Sequence, residues 1–140
     1  MVAVPDGEKR VAMLRRFFIK HQSPLADAAE AFILASHKYN IPEWILVGIS
    51  NAESTLGKRI AENSYNPFGY KCYDGQPCYN FKSWDEAVYS LAATLRFEHY
   101  YADYRKTGKI EDIAKRYLTG NKQRWIGNVT KYRDELVMKP

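Results

Sequence analysis

The chain is poor in the residues that build metal centres and disulfide frameworks. Among its 140 residues there are only two cysteines, Cys72 and Cys78, and three scattered histidines, His21, His37 and His99. A four-ligand zinc site needs a second cysteine pair or clustered histidines, so no metal and no other cofactor is expected, and the histidines read as packed or solvated side chains. No apolar run comes near the roughly 20 residues that cross a bilayer, which argues against membrane insertion. The start, Met1-Val2-Ala3-Val4-Pro5-Asp6-Gly7, lacks the basic and then apolar layout of a signal peptide. An exported protein would therefore be represented here by its mature part behind an added Met1, or would leave the cell by another route. Internal repeats, low-complexity tracts and flexible linkers are missing as well.

What is present is the mixture of a folded soluble domain, 46% apolar and 26% charged. The length suits one core rather than two. A net charge of +5 implies attraction to something anionic, whether nucleic acid, a membrane face or a cell wall. No recognised nucleic-acid module accompanies that charge, so nucleic acid is not the expected partner. Nothing demands an apolar interface, and a monomer is expected.

Helical periodicity dominates. Val11, Leu14, Phe18 and His21 fall on one face of a first helix, while Lys9, Arg10, Arg15, Arg16 and Lys20 make most of the remainder basic. Ser23 before Pro24 reads as an N-cap and first helical position, and Leu25, Ala28, Ala29, Phe32, Ser36 and Tyr39 continue as one stripe to an end near Asn40. Pro42 opens a helix through Trp44, Ile45, Leu46, Val47 and Ile49, apolar around most of its circumference and so central. Ser83 and Glu86 make a capping box for a long helix that Gly108 ends or closely follows. Its Trp84, Val88, Leu91, Leu95 and Ala102 share one face, with Phe97, Tyr101 and Tyr104 opposite. Ile110, Ile113, Ala114, Tyr117 and Leu118 predict a short helix stopped by Gly120, and Trp125, Val129, Tyr132 and Leu136 a final one. Trp84 and Trp125 lie on core stripes and read as packing residues.

Between Thr55 and Lys82 the helical pattern lapses into Gly, Asn, Pro and aromatic residues, which predicts loops and a small hairpin around the cysteines. Asp74-Gly75 is a turn signal that brings Cys72 and Cys78 together. A disulfide there would add about 2 kcal/mol on the chain-entropy account, useful mainly outside a reducing cytosol. The alternative is two free thiols in a surface hairpin.

The chemistry-bearing stretch runs from Ala52 to Tyr70. Glu53 stands at the end of the apolar helix, where low dielectric and the negative helix terminus both disfavour a carboxylate and raise its pKa. A carboxylic acid that stays protonated near neutral pH is what a glycosidase needs to protonate a departing oxygen. Gly57 is placed to end this helix in the left-handed conformation. Asn66-Pro67-Phe68-Gly69 reads as a tight turn returning beside Glu53 and offering amide and carbonyl groups to a sugar. Without further context, a lone glutamate of this kind decorates a solvated helix end.

Context comes from the ordered set Glu53-Ser54, Gly57-Lys58, Asn66-Pro67-Phe68-Gly69, with Ser23-Pro24-Leu25-Ala26 ahead of it and Phe81, Ser83-Trp84-Asp85-Glu86-Ala87, Tyr117, Trp125 and Val129 behind it. This order resembles the lysozyme-like superfamily, closest to bacterial endo-beta-N-acetylglucosaminidases of the peptidoglycan hydrolase type, over about residues 23 to 136. The resemblance implies a mainly α, lysozyme-like helical domain with a small β-hairpin lobe beside the cleft, occupying residues 23–140, with residues 1–22 as a basic helix packed on it. It implies cleavage of the β-1,4 bonds of the GlcNAc-MurNAc backbone, with peptidoglycan glycan strands as partner and an exported, extracellular or cell-envelope location.

Carried over by position, Glu53 is the expected catalytic acid and Tyr117 the tyrosine facing it. Ser54, Asn66, Phe68 and Gly69 line the sugar groove, and Tyr70 and Tyr101 are candidate faces for sugar rings. Asp74 is the candidate for a second catalytic group, against a plain turn role. A lytic transglycosylase or muramidase on the same polymer, and a noncatalytic wall-binding module, remain alternatives at this level.

Overall fold

The computed structural model describes residues 4–70, 79–117 and 120–137. Eight α-helices follow in order among these: α1 (Gly7–Lys20), α2 (Ala29–Tyr39), α3 (Glu43–Ser54), α4 (Trp84–Phe97), α5 (Ala102–Thr107), α6 (Ile110–Tyr117), α7 (Lys122–Thr130) and α8 (Arg133–Leu136). Short 3-10 helices at Pro24–Ala28 and His99–Tyr101 lead into α2 and α5. No helix among the described residues is long and apolar enough to cross a membrane.

The central position of α3 follows from its composition. Ile45, Leu46, Val47, Gly48, Ile49 and Ser50 are all buried, so the helix has no face left for solvent over its middle turns. It packs between α2 and α7, and α1 is tied to its start by Arg10, whose guanidinium makes a two-pronged bond to Glu43 at 2.6 and 3.2 Å. The apolar side of α1, Leu14, Phe17 and Phe18, closes the core from that side. His21 lies between the rings of Phe17 and Tyr132, at 4.6 and 4.8 Å, while His37 and His99 are exposed.

The contact between α3 and α7 is set by a glycine. A Cβ at position 48 would stand 2.2 Å from the carbonyl oxygen of Val129, so the two helices approach as closely as they do only because Gly48 has no side chain. One turn on, the Asn51 amide donates to the Asn128 carbonyl at 2.9 Å. Together these contacts fix α7 along the half of α3 that ends at Glu53.

Three sequence expectations are corrected. The first is the β-hairpin lobe: no strand occurs among the described residues. The tip, with Cys72, Asp74 and Cys78, lies outside the described residues, but its flanks do not pair as a ladder. The Asn66 side chain intervenes, its Nδ2 donating to the Tyr70 and Tyr79 carbonyls at 2.8 and 2.9 Å. Its Oδ1 accepts from the amides of Phe68 and Tyr70 at 3.4 and 3.1 Å. One buried amide thus takes backbone groups that strand pairing would otherwise use.

The second correction concerns the long helix expected from Ser83 to Gly108. Ser83 does cap it, accepting from the Glu86 amide at 3.1 Å, but the helix stops at Phe97 and Glu98 is extended, with ψ 136°. The Arg105 guanidinium donates to the carbonyls of Leu95 and Glu98, each at 2.9 Å, and so satisfies the broken end. The break accounts for the aromatic residues that a continuous helix would have placed opposite its core stripe: after it Tyr101 and Tyr104 turn inward and are buried, whereas Phe97 stays outside.

The third is the end of α3. Gly57 is left-handed, with φ 78°, but so are Thr55 and Leu56 at 53° and 59°, and the helix ends two residues earlier than glycine chemistry alone predicts. The Leu56 amide reaches back to the Ser50 carbonyl at 3.1 Å, and the fully buried Leu56 side chain anchors the turn. Burial of Leu56 offsets part of the left-handed strain of two non-glycine residues, and the bond to Ser50 adds to it.

Gly48→Ala should force α3 and α7 apart and destabilise the protein by roughly 1–3 kcal/mol, the usual cost of overpacking. Urea denaturation of the two proteins measures it, with unchanged stability as the contrary result.

Candidate active site

Glu53 occupies the next-to-last position of α3, where the core gives way to the loop of residues 55–70. Its Oε2 accepts a hydrogen bond from the indole Nε1 of Trp125 on α7 at 2.7 Å. Its Oε1 faces the backbone of Gly69, where a Cβ would fall 2.1 Å away. Gly69 has φ 63°, so both its conformation and the neighbouring carboxyl group exclude a side chain.

The loop is pressed against Glu53 by internal bonds. The Ser54 hydroxyl lies 2.7 Å from the Pro67 carbonyl and 3.0 Å from that of Ser50, and accepts from the Gly57 amide at 2.8 Å. Phe68 is fully buried, edge-on to Phe32 at 6.2 Å. Its carbonyl accepts from the Tyr117 hydroxyl. Tyr117 in turn lies over the Trp125 indole, centroids 5.1 Å apart and planes inclined by 34°.

Electrostatics follow from this packing. Burial raises the pKa of Glu53 above the ordinary 4.5, and the Trp125 hydrogen bond, which favours the anion, opposes that rise only in part. Burial likewise pushes the hydroxyls of Tyr117 and Tyr101 well above the usual range, helped by the nearby Glu53 and by Tyr70. Both phenols are therefore neutral, and Glu53 sits in a wall of neutral aromatic groups.

Of the residues singled out from the sequence, Glu53, Gly69, Tyr70, Tyr101 and Tyr117 come together. Ser54, Asn66 and Phe68 lie behind them, buried and bonded to the loop they support. Asp74, Cys72 and Cys78 lie outside the described residues. Trp125 is the residue that sequence reasoning placed in the core alone. It is indeed 5% exposed, but a buried indole N–H needs an acceptor, and the carboxyl at the end of the central helix provides it. A concavity between α1 and α8, lined by Arg10, Met13, Phe17, Glu43 and Leu136, shares none of these residues.

A helical domain with a half-buried glutamic acid at the end of its central helix, faced by a glycine turn and tyrosines, defines a glycosidase-like class of site. The family model for glucosaminidases, described as mannosyl-glycoprotein endo-beta-N-acetylglucosaminidase, matches residues 29–137, and the chain belongs to that family. It is a glycoside hydrolase with glucosaminidase-type activity on peptidoglycan. No curated protein and no solved structure matches the chain.

Two outcomes follow from this geometry. A pKa raised on folding means that Glu53 costs nothing below the unfolded value, costs progressively more as the pH rises from there to the folded pKa, and costs its full amount above that. Glu53→Gln should therefore be more stable than the parent at neutral pH, with the advantage vanishing as the pH falls below about 4.5, as thermal melts across pH would record. Gly69→Ala should displace the Glu53 carboxyl and lower kcat on the order of 10²-fold while the helical circular dichroism persists. Retained activity in Gly69→Ala would contradict the close approach.

Proposed function

We propose that Glu53 is the general acid of this glucosaminidase, protonating the oxygen that leaves when the glycosidic bond between GlcNAc and the next sugar is cleaved. The observation that carries this reading is the half-buried carboxyl group whose pKa burial raises, set between the Trp125 N–H and the backbone of Gly69. A positioned acid of this kind contributes roughly 10² to 10⁴ in rate, and the neutral phenols of Tyr117 and Tyr101 add no charge that would compete for its proton.

In this mechanism the glycan lies along the wall formed by Gly69 and Tyr70, with the buried Tyr101 behind that wall and Tyr117 facing the acid. The half-buried Tyr70 ring offers an apolar face to a sugar. Ser54, Asn66 and Phe68 act indirectly, by holding the turn in place. As the bond breaks, the sugar on the non-leaving side takes on oxocarbenium character and is captured by water, Asp74 being the candidate to hold it. Within residues 1–22, α1 serves as a basic helix packed on the glycosidase domain that residues 23–140 form. The protein acts as a monomer in exported form at the cell envelope, where its substrate lies.

Zymography on purified peptidoglycan should show clearing by the parent protein and none by Glu53→Gln. Activity should persist at pH values above 4.5 and fall as the pH rises through the raised pKa of Glu53. Mass spectrometry of the released fragments should find reducing GlcNAc ends. Reducing MurNAc ends would mean a muramidase, and anhydro ends, lighter by a water, a lytic transglycosylase.

A further inference from the structure

We infer that Trp125 is a positioning residue for the acid: its indole N–H holds Oε2 of Glu53 and thereby confines the transferable proton to Oε1, the oxygen beside Gly69. The inference rests on the reading of Glu53 as the general acid and adds which of its two oxygens acts.

The chemistry of the donor decides the point. An indole N–H can donate but never accept. When Glu53 is protonated, one oxygen is a carbonyl and the other a hydroxyl, and the carbonyl oxygen is the better acceptor. With Trp125 donating to Oε2 at 2.7 Å, Oε2 takes the carbonyl role and the hydroxyl falls on Oε1. That oxygen faces the Gly69 backbone, on the side where the loop and the tyrosines form the proposed glycan wall. After transfer both oxygens share the negative charge, and the same N–H stabilises the carboxylate until it is protonated again.

The supports around Trp125 suit a fixed role. The indole is 5% exposed and lies against Tyr117, with ring centroids 5.1 Å apart. Its helix starts at an Asn121 cap, whose side chain accepts from the Arg124 amide at 2.9 Å. The same helix is locked to α3 by the Gly48 approach and by the bond from Asn51 to Asn128 at 2.9 Å. Both ends of the Trp125–Glu53 bond are thus carried by two helices that cannot slide past each other.

Two variants remove the N–H. Trp125→Phe keeps an aromatic ring, and incorporation of 3-benzothienylalanine at position 125 keeps the shape of the indole with sulfur in place of N–H. Each is compared with the parent protein and with Glu53→Gln on soluble peptidoglycan fragments, after circular dichroism and melting have verified the fold. The expected result is a kcat about 10- to 100-fold lower with KM little changed. The alkaline limb of the pH profile should also move to higher pH, because the bond that favours the anion is gone.

Parent-like kcat and pH profile in the benzothienyl protein, with Glu53→Gln inactive, would overturn the positioning role and leave the acid intact. A loss of kcat with an unshifted alkaline limb would also overturn it, as the mark of a merely structural tryptophan. Full activity in Glu53→Gln would remove the acid itself, and the inference with it.

Discussion

The closeness of α3 and α7 at Gly48 is the constraint on which the site depends. Where a Cβ would stand 2.2 Å from the Val129 carbonyl oxygen, the backbones touch, and the rotation and height of one helix on the other are settled. Trp125 lies one helical turn from that contact, about 6 Å along the axis, and Glu53 lies at a comparable distance on the partner helix. Their 2.7 Å bond is therefore a consequence of backbone packing more than of side-chain flexibility. An acid placed in this way needs little reorganisation during proton transfer, which is the property that makes a preorganised site effective.

Burial and hydrogen bonding act on Glu53 in opposite directions, and both are needed. Burial alone would hold the carboxyl neutral but would leave the carboxylate formed by the proposed proton transfer without a partner in a region of low dielectric. The indole bond moderates that cost. The two tyrosine hydroxyls, neutral throughout, supply polarity without charge, so the balance rests on the burial of one side chain and the orientation of one N–H.

Much of this was legible in the residues. The capping serines, the apolar circumference of α3, Asn40 at the end of α2 and the position of Glu53 at the end of α3 all follow from local rules that tertiary packing does not oppose. The features that escaped have a common cause: a long-range partner. Glu98 breaks a helix whose periodicity runs on, because Arg105 caps the broken end from ten and seven residues away. Thr55 and Leu56 accept left-handed geometry because Leu56 is drawn into the core. The expected strands around the cysteines give way to a side-chain amide, and Trp125, which shares its stripe with Val129, shows nothing in its spacing to say that its N–H meets a carboxyl 72 residues earlier.

The Asn66 amide carries a further implication. Because it grips the carbonyls of Tyr70 and Tyr79 together, one side chain holds those two positions side by side next to the glycine turn. A substitution that removed the Asn66 amide would release both carbonyls at once, and the glycine turn would lose the side chain that binds its entry and exit together.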